Sequence, residues 1–462
     1  MYGWLEKTAS ARPWVLILVV WAWLYLPCLG TPELHHEEGR RAGTAREMLS
    51  RGEYVMPVFQ GQPYLQKPPG YYWILIASSR ALGGFNEWSI RLPSALSVLI
   101  CALAACAVTR GLGGNGLIGG IALLVMPEAW GKGQLGEIEA VFMAQVFLAI
   151  ALAWRAANRP RDYAAAIASG LFLGWATVTK GPAAPALFYL AMAVWLAWER
   201  RARWFLSLQH VCVVFAMAAI TGLWVALLAR RIDLANAGQI WANELGAVRL
   251  GKNVADSLKA LLVFPFGVFG GLLPGTLALI WMVFREPKDE QESSLRRRLL
   301  SGTVPGFLLL WLHGRRVRYV LPVAPIAAIA AGIAFAVPFA RWLRSRRFVA
   351  VAVAAILLAG VVRIGVMQLR GASIENREIG AELARVLPVN TPVYSDVGCW
   401  NACFYANRTF LAVADAASIP SSAAAGLVFK NDLPKLDGRV RRILYEGEVR
   451  RGDRIVAVEL AE

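Results

Sequence analysis

Apolar residues along this chain gather in long blocks separated by short polar clusters. The blocks run approximately over 14–29, 88–109, 115–130, 137–157, 162–179, 182–198, 205–229, 258–284, 299–313, 318–340 and 347–366. Near-continuous apolar runs of this kind predict membrane-spanning helices, since roughly 20 apolar residues at about 1.5 Å each cross a hydrocarbon core. The polar clusters give the orientation. Arg155, Arg159 and Arg161 form one, and Arg200, Arg201 and Arg203 the next. Arg285, Lys288 and Arg296 to Arg298 form a third, followed by Arg341, Arg344, Arg346 and Arg347. With eleven spans and a cytoplasmic N-terminus, every cluster falls on the cytoplasmic face, as the positive-inside rule requires. The first block follows Lys7 and Arg12 and has no small-residue cleavage site behind it, so it reads as an uncleaved first span.

The same count leaves 31–86, 230–257 and 371–462 outside the cytoplasm. The first segment predicts juxtamembrane helices, with Tyr71, Tyr72 and Trp73 at headgroup depth. In the tail, a helical stretch over 375–386 precedes short alternating runs such as 393–395 and 443–445, the pattern of a small α/β or α+β domain. The expected fold is therefore an all-α polytopic membrane domain over 1–370 and an extracytoplasmic domain over 371–462. No internal repeat is evident, which weakens a transporter built from inverted repeats.

Composition narrows the field further. Of 462 residues, 57% are hydrophobic and 17% charged, which excludes disorder, collagen-like repeats and a disulfide scaffold. The net charge of +17 would suggest nucleic acid in a soluble protein. Here the bases lie between apolar blocks, where they anchor a membrane protein, and no nucleic-acid partner is expected. Cys28, Cys101, Cys106 and Cys212 lie in or beside apolar blocks and behave as small hydrophobes. Cys399 and Cys403 read either as a disulfide in an exported region or as two buried thiols.

Candidate chemistry concentrates in the first outer segment. It opens with His35-His36-Glu37-Glu38-Gly39-Arg40-Arg41, which reads either as a solvated helix start, its acids favoured by the helix dipole, or as a functional cluster. The run Tyr64-Leu65-Gln66-Lys67-Pro68-Pro69-Gly70-Tyr71-Tyr72-Trp73 favours function. Its prolines fix a rigid bend just after Lys67, and a fixed cation at headgroup level is what a lipid phosphate requires. Arg315, Arg316 and Arg318 stand on the outer face against the charge trend, and an anionic lipid headgroup supplies a reason for them. Lys180 reads either as a lysine snorkelling to the interface or as part of a phosphate site. Glu139, near the outer end of a span, is a functional candidate by its depth, or else lines a cavity structurally. Glu137 lies two residues away, on another helix face.

These motifs carry a resemblance. Glu37-Glu38-x-Arg40, Ala45-Arg46-Glu47-Met48-Leu49, Gly52-Glu53-Tyr54, Pro57, Gly61-x-Pro63-Tyr64 and Lys67-Pro68-Pro69-x-Tyr71-Tyr72-Trp73 together resemble the first periplasmic loop of the aminoarabinose transferase and protein O-mannosyltransferase superfamily. Arg91-Leu92-Pro93-Ser94, Thr179-Lys180-Gly181-Pro182 and Arg318-Tyr319-Val320-Leu321-Pro322 follow in the same order. The resemblance covers about residues 10–370. It implies a GT-C membrane glycosyltransferase that uses a polyprenyl-phosphate sugar and works at the periplasmic face of a bacterial inner membrane. By position, Glu37 and Glu139 fall on the family's two acids, and each is longer than the usual Asp. Arg40, Lys67, Lys180, Arg249, Arg318 and Tyr319 fall on or beside the donor-phosphate pocket, Arg249 by a looser alignment. Gln66 stands where the aminoarabinose transferases have a metal-binding Glu, and the matching histidine has no clear equivalent, so a divalent metal is not supported.

The chemistry that follows needs little acid help, because a lipid phosphate is already a good leaving group. It needs cations and hydroxyls at the departing phosphate, which suits Lys67, Lys180, Arg318 and Tyr319. It also needs a base for the acceptor hydroxyl, for which Glu37 is the candidate. Direct displacement inverts the anomeric centre. The acceptor is a lipid, a glycan or a protein. Competing readings are a polyprenol-linked glycan flippase, which would line several spans with charge at midplane, and an O-antigen-ligase-like enzyme that moves a whole glycan.

Overall fold

The computed structural model describes residues 11–235, 238–241, 254–313, 316–342, 345–371, 375–436, 438–450 and 453–461. Helix α1 (Pro13–Tyr25) starts on a proline, whose fixed φ and missing N–H suit the first helical turn. Helix α2 (Glu38–Arg51) ends at Gly52, whose φ of +65° makes the left-handed cap that glycine adopts without strain. Strands β1 (Val58–Phe59) and β2 (Gln62–Pro63) form a hairpin. Both turn residues, Gln60 and Gly61, have positive φ, as a two-residue turn matched to strand twist demands. Then come α3 (Gly70–Ala81), α4 (Glu87–Gly111), α5 (Gly116–Val125), α6 (Pro127–Gly133), α7 (Ile138–Asn158), α8 (Tyr163–Lys180), α9 (Ala183–Trp198) and α10 (Leu208–Ala229).

Helices α11 (Val254–Gly271) and α12 (Gly275–Phe284) meet at a bend of 104°. The block 258–284, expected as one span, is therefore two helices. Pro274 stands in the break, where its ring and missing N–H stop a continuous helix. Helix α13 (Glu290–His313) leads through a 3-10 turn, Val317–Val323, into α14 (Ala324–Ala334), α15 (Ala336–Trp342) and α16 (Arg346–Gly371). Each apolar block named above falls on helical structure. Among the described residues, five helices are individually long and apolar enough to cross a membrane, or six if the bent pair is one span. Helices α5 and α9 are apolar but shorter, as is the stretch Pro13–Cys28 that contains α1. This is the architecture of a multi-pass membrane protein.

The tail follows with α17 (Asn376–Val386), β3 (Val393–Ser395), α18 (Trp400–Ala406), β4 (Phe410–Ala412), β5 (Ala425–Phe429), β6 (Val440–Arg450) and β7 (Asp453–Leu460).

The chain divides into two compact units. The first holds residues 1–27, 66–71 and 91–363; the second holds 28–65, 72–90 and 364–462. In the first, α7 is buried around most of its circumference, which marks a central helix. Several polar side chains of this unit donate to backbone carbonyls, as a water-poor interior favours. Trp21 Nε1 donates to Ala95 O at 2.8 Å, Tyr25 Oη to Leu124 O at 3.0 Å, and Ser169 Oγ to Ala149 O at 2.7 Å. Gly170 and Gly174, one turn apart on α8, let its backbone approach α10 closely. A Cβ at Gly174 would stand 3.0 Å from Met217 O.

The second unit is built on a five-stranded sheet, ordered β4-β3-β5-β7-β6. Strands β4, β3 and β5 run parallel; β7 and β6 continue antiparallel. Alternate residues serve opposite faces. Leu427, Ile455 and Ala457 pack with α17 and α18 through Ile379, Leu383 and Cys403. Val428, Val456 and Val458 pack with Ala416, Ile419 and Leu436. Helix α2 joins this unit by lying on α18, where Gly39 N donates to Asn401 Oδ1 at 2.8 Å. A Cβ at Gly39 would sit 2.6 Å from Asn401 Cα, so only glycine permits the approach.

Candidate functional site

In the first unit the charges gather at the start of α7. Glu137 takes the extended position before the helix and Glu139 its first turn, where the exposed N–H dipoles favour a carboxylate. Lys180, the last residue of α8, places Nζ 3.5 Å from Glu139 Oε1. The same ammonium lies 4.7 Å from the Tyr319 ring centre and 5.0 Å from that of Phe142, an aromatic cradle for a cation. Arg318, on the 3-10 turn, spans both acids, with Nε 3.7 Å from Glu139 and Nη1 4.0 Å from Glu137. Glu137 was expected on another face from Glu139. Because it precedes the helix in extended backbone, it turns to the same arginine. Its carboxylate is only 2% exposed and pairs with Lys132 Nζ at 2.7 Å. Nothing in the local sequence Gly131-Lys132-Gly133 singles out Lys132, whose role depends on a contact across the α6–α7 junction.

Lys67 reaches this region because of the residues that follow it. Gly70 lies against the end of α8: a Cβ there would meet Val178 O at 2.7 Å and Thr179 Oγ1 at 2.8 Å. The Lys67-Pro68-Pro69-Gly70 turn is thus seated on the helix that ends in Lys180. Lys67, Lys180 and Tyr319 all line one cavity of 570 Å³, whose other walls include Phe142, Leu187, Trp224 and Leu310. A few polar groups converging in a mostly apolar hollow is the usual form of a small-ligand site. Here the walls suit an acyl or prenyl chain and the cations suit an anion. Gln66 lines the same cavity. It offers an amide rather than a carboxylate, and among the described residues no three metal-ligating side chains converge.

Glu37 and Arg40 belong to the second unit. Glu37, at the start of α2, is ion-paired to Arg40 and, at 3.2 Å, to Arg41 Nη2. Arg41 Nη1 also donates to the hydroxyls of Tyr64 and Tyr72, each at 3.1 Å. Arg40 stacks its guanidinium 4.3 Å from the Trp400 ring centre. Arg40 was expected in the donor-phosphate group; in its own unit it is engaged with Glu37 and Trp400. Arg41 and Trp400 were missed by the sequence reading, the first masked by its neighbour Arg40, the second remote in sequence. Arg249 and Arg315 lie outside the described residues. Cys399 and Cys403 are both buried thiols, with Sγ atoms 3.5 Å apart.

Residues 66–225 match the family model described as dolichyl-phosphate-mannose-protein mannosyltransferase. The chain is 27% identical over 344 residues to an undecaprenyl phosphate-alpha-4-amino-4-deoxy-L-arabinose arabinosyl transferase of Erwinia tasmaniensis, covering 71% of this chain and 60% of that one. A Pseudomonas fluorescens protein of the same description is 28% identical over 353 residues, covering 70% and 57%. The chain thus spans somewhat under two thirds of the length of these relatives. Among solved structures, ArnT from Cupriavidus metallidurans in the apo state superposes with a TM-score of 0.73 at 19% identity, over 99% of this chain and 97% of that one. The same protein bound to undecaprenyl phosphate gives 0.70, also at 19% identity, over 98% of each. Fold and helical pattern thus define a GT-C-type membrane protein. The chain is similar to the aminoarabinose transferases over about 70% of its length and to the mannosyltransferase family model over residues 66–225.

Proposed function

We propose that this chain is an inverting glycosyltransferase that moves a sugar from a polyprenyl (undecaprenyl) phosphate donor to a lipid, glycan or protein acceptor. The observation that carries the reading is the cavity in the first unit, where Lys67, Lys180 and Tyr319 meet among apolar walls. Its cations would hold the donor phosphate, with Arg318 beside them. As the acceptor hydroxyl oxygen bonds to the anomeric carbon, the bond from that carbon to the phosphate oxygen breaks. The electron pair leaves with the polyprenyl phosphate, where fixed positive charge stabilises it best in the transition state. The acceptor's proton passes to a base, for which Glu37 is our assignment, with Arg40 and Arg41 orienting its carboxylate. Glu139 holds Lys180 and Arg318 in place and is assigned the second acidic role; Arg249 is assigned to the phosphate group from sequence alone.

The membrane reading goes with this. Eleven spans, a periplasmic active site in a bacterial inner membrane, a transmembrane domain over 1–370 and a periplasmic domain over 371–462 remain parts of the proposal. A flippase is the competing reading, and the gathering of charge around Glu139 and Lys180 favours transfer. An O-antigen-ligase-like transfer differs in what moves, a whole glycan instead of a single sugar.

Mass spectrometry of envelope glycolipids and glycoproteins, with and without the chain, tests this directly. A single-sugar mass increment that depends on the chain is expected. Identical envelope profiles, together with no turnover of polyprenyl-phosphate sugars in proteoliposomes, would overturn the reading.

A further inference from the structure

A second cavity, of 410 Å³, lies within the second unit, and its construction follows from two helices that present complementary stripes. Along α2 the lining residues are Gly39, Gly43, Arg46, Glu47, Ser50 and Arg51, which recur at steps of three and four and so share one face. Along α18 they are Trp400, Cys403, Phe404 and, just past its end, Asn407, again recurring at steps of three and four. The glycines lower the floor where the helices meet. The hairpin tip supplies a third wall through Phe59 and Gln60. It is fixed to the sheet edge by the hydrogen bond from Ala412 N to Gln60 O at 2.8 Å, and to α2 by that from Gly61 N to Glu47 Oε1 at 2.9 Å.

The lining is charged in one sense. Arg46, Arg51 and Arg408 stand against a single carboxylate, Glu47, which Arg51 already holds at 2.7 Å. Arg408 is tied to the carbonyls of Ala384 and Leu387 at the end of α17. Arg46 is different. Its Nη1 donates to Phe404 O at 3.0 Å and its guanidinium lies 4.4 Å from the Phe404 ring centre, with no carboxylate in ion-pair contact among the described residues. Burial draws its pKa down to about 10, so the wall holds a cation with little water around it. Gln60 adds a buried side-chain amide whose Nε2 has no partner among the described residues.

From this lining, we infer that the cavity between α2, α18 and the hairpin tip binds an acidic sugar: a ring carrying a carboxylate or a phosphate. The aromatic faces of Trp400, Phe59 and Phe404 suit the C–H face of a pyranose, and Ser50, Asn407 and Thr409 suit its hydroxyls. Arg46 receives the anionic group, for which a guanidinium offers a planar pair of donors. Trp400 also carries Arg40, the partner of Glu37, on its ring. Recognition of an acidic sugar in this cavity does not depend on the transferase reading.

The test uses the full-length protein in nanodiscs and titrates glucuronate, glucose 1-phosphate and neutral glucose by saturation-transfer NMR. Saturable binding of one or both acidic sugars, at least tenfold tighter than glucose, is expected, and the preferred one identifies the anionic group. Arg46→Gln should weaken that binding at least tenfold. Ser50→Trp, a change at an exposed rim position that fills the cavity, should abolish it, and it serves should Arg46→Gln fail to fold. Equal binding of glucose and the acids, no saturable binding, or binding indifferent to Ser50→Trp would each overturn the inference. Because binding is read without turnover, these outcomes are separate from any failure of the transferase assay.

Discussion

Lys180 and Glu139 meet at 3.5 Å from opposite directions, one closing helix α8 and the other opening α7, and both side chains are largely buried. Each charge answers the dipole of its own helix end as well as its partner. Removing Glu139 leaves Lys180 with only its aromatic cradle, whereas removing Lys180 leaves Glu139 facing Arg318. Glu139→Gln should cost about 3 kcal/mol of stability, Lys180→Met less because Arg318 still faces Glu139, and the double variant should cost less than the sum. Thermal unfolding in detergent checks this; additive losses would mean that the pair is not coupled.

Gly70→Ala should disturb Lys67 through the backbone, because the new methyl group would press on Val178 O and Thr179 Oγ1. The close contact is with main chain, which gives way less easily than a flexible side chain. The expected cost is about 1–3 kcal/mol, with weaker donor-lipid binding. Wild-type melting and affinity together would show that the turn has room to spare.

Glu37→Gln should lower transfer by about two to four orders of magnitude, the usual contribution of a general base, while donor binding stays largely intact. Lys67→Ala should do the reverse, weakening donor affinity about tenfold, or ~1.4 kcal/mol. Transfer and donor titration measured on the same proteoliposomes separate the two. An active Glu37→Gln enzyme would remove the proposed base, and an unchanged titration for Lys67→Ala would remove the proposed phosphate contact.

Asp396, just beyond β3, has its carboxyl pKa raised, first by burial and then by the nearby Asp432. A carboxyl held above its ordinary value contributes stability that is fully present below the unfolded pKa and is lost as pH rises through the folded one. The second unit should therefore lose part of its stability over that window. Asp396→Asn should flatten the slope and raise stability at neutral pH. Limited proteolysis of the tail from pH 3 to pH 7 reads this out, and an identical pH profile in the variant would contradict it.

The sequence by itself determined the helical blocks, the loop motifs and the mixed tail, because each is written in local terms. Block length fixes a span candidate, Lys67-Pro68-Pro69-Gly70 fixes a bend, and period-two alternation over 393–395 and 443–445 marks strands. The 104° break at Pro274 was legible in principle from the proline, yet a 27-residue apolar block, 258–284, hid it. Tertiary structure alone decided which charges are partners. Glu139 meets Lys180 and Arg318, residues about 40 and 180 positions away, and Arg40 meets Trp400 some 360 positions on. Spacing along the chain carries no information about such pairs, because an ion pair is set by the distance between folded elements. The same holds for the cavity between α2 and α18. Its two stripes are each readable as helical periodicity, but only packing brings them together, and only there does a set of ordinary arginines and aromatics acquire a shape.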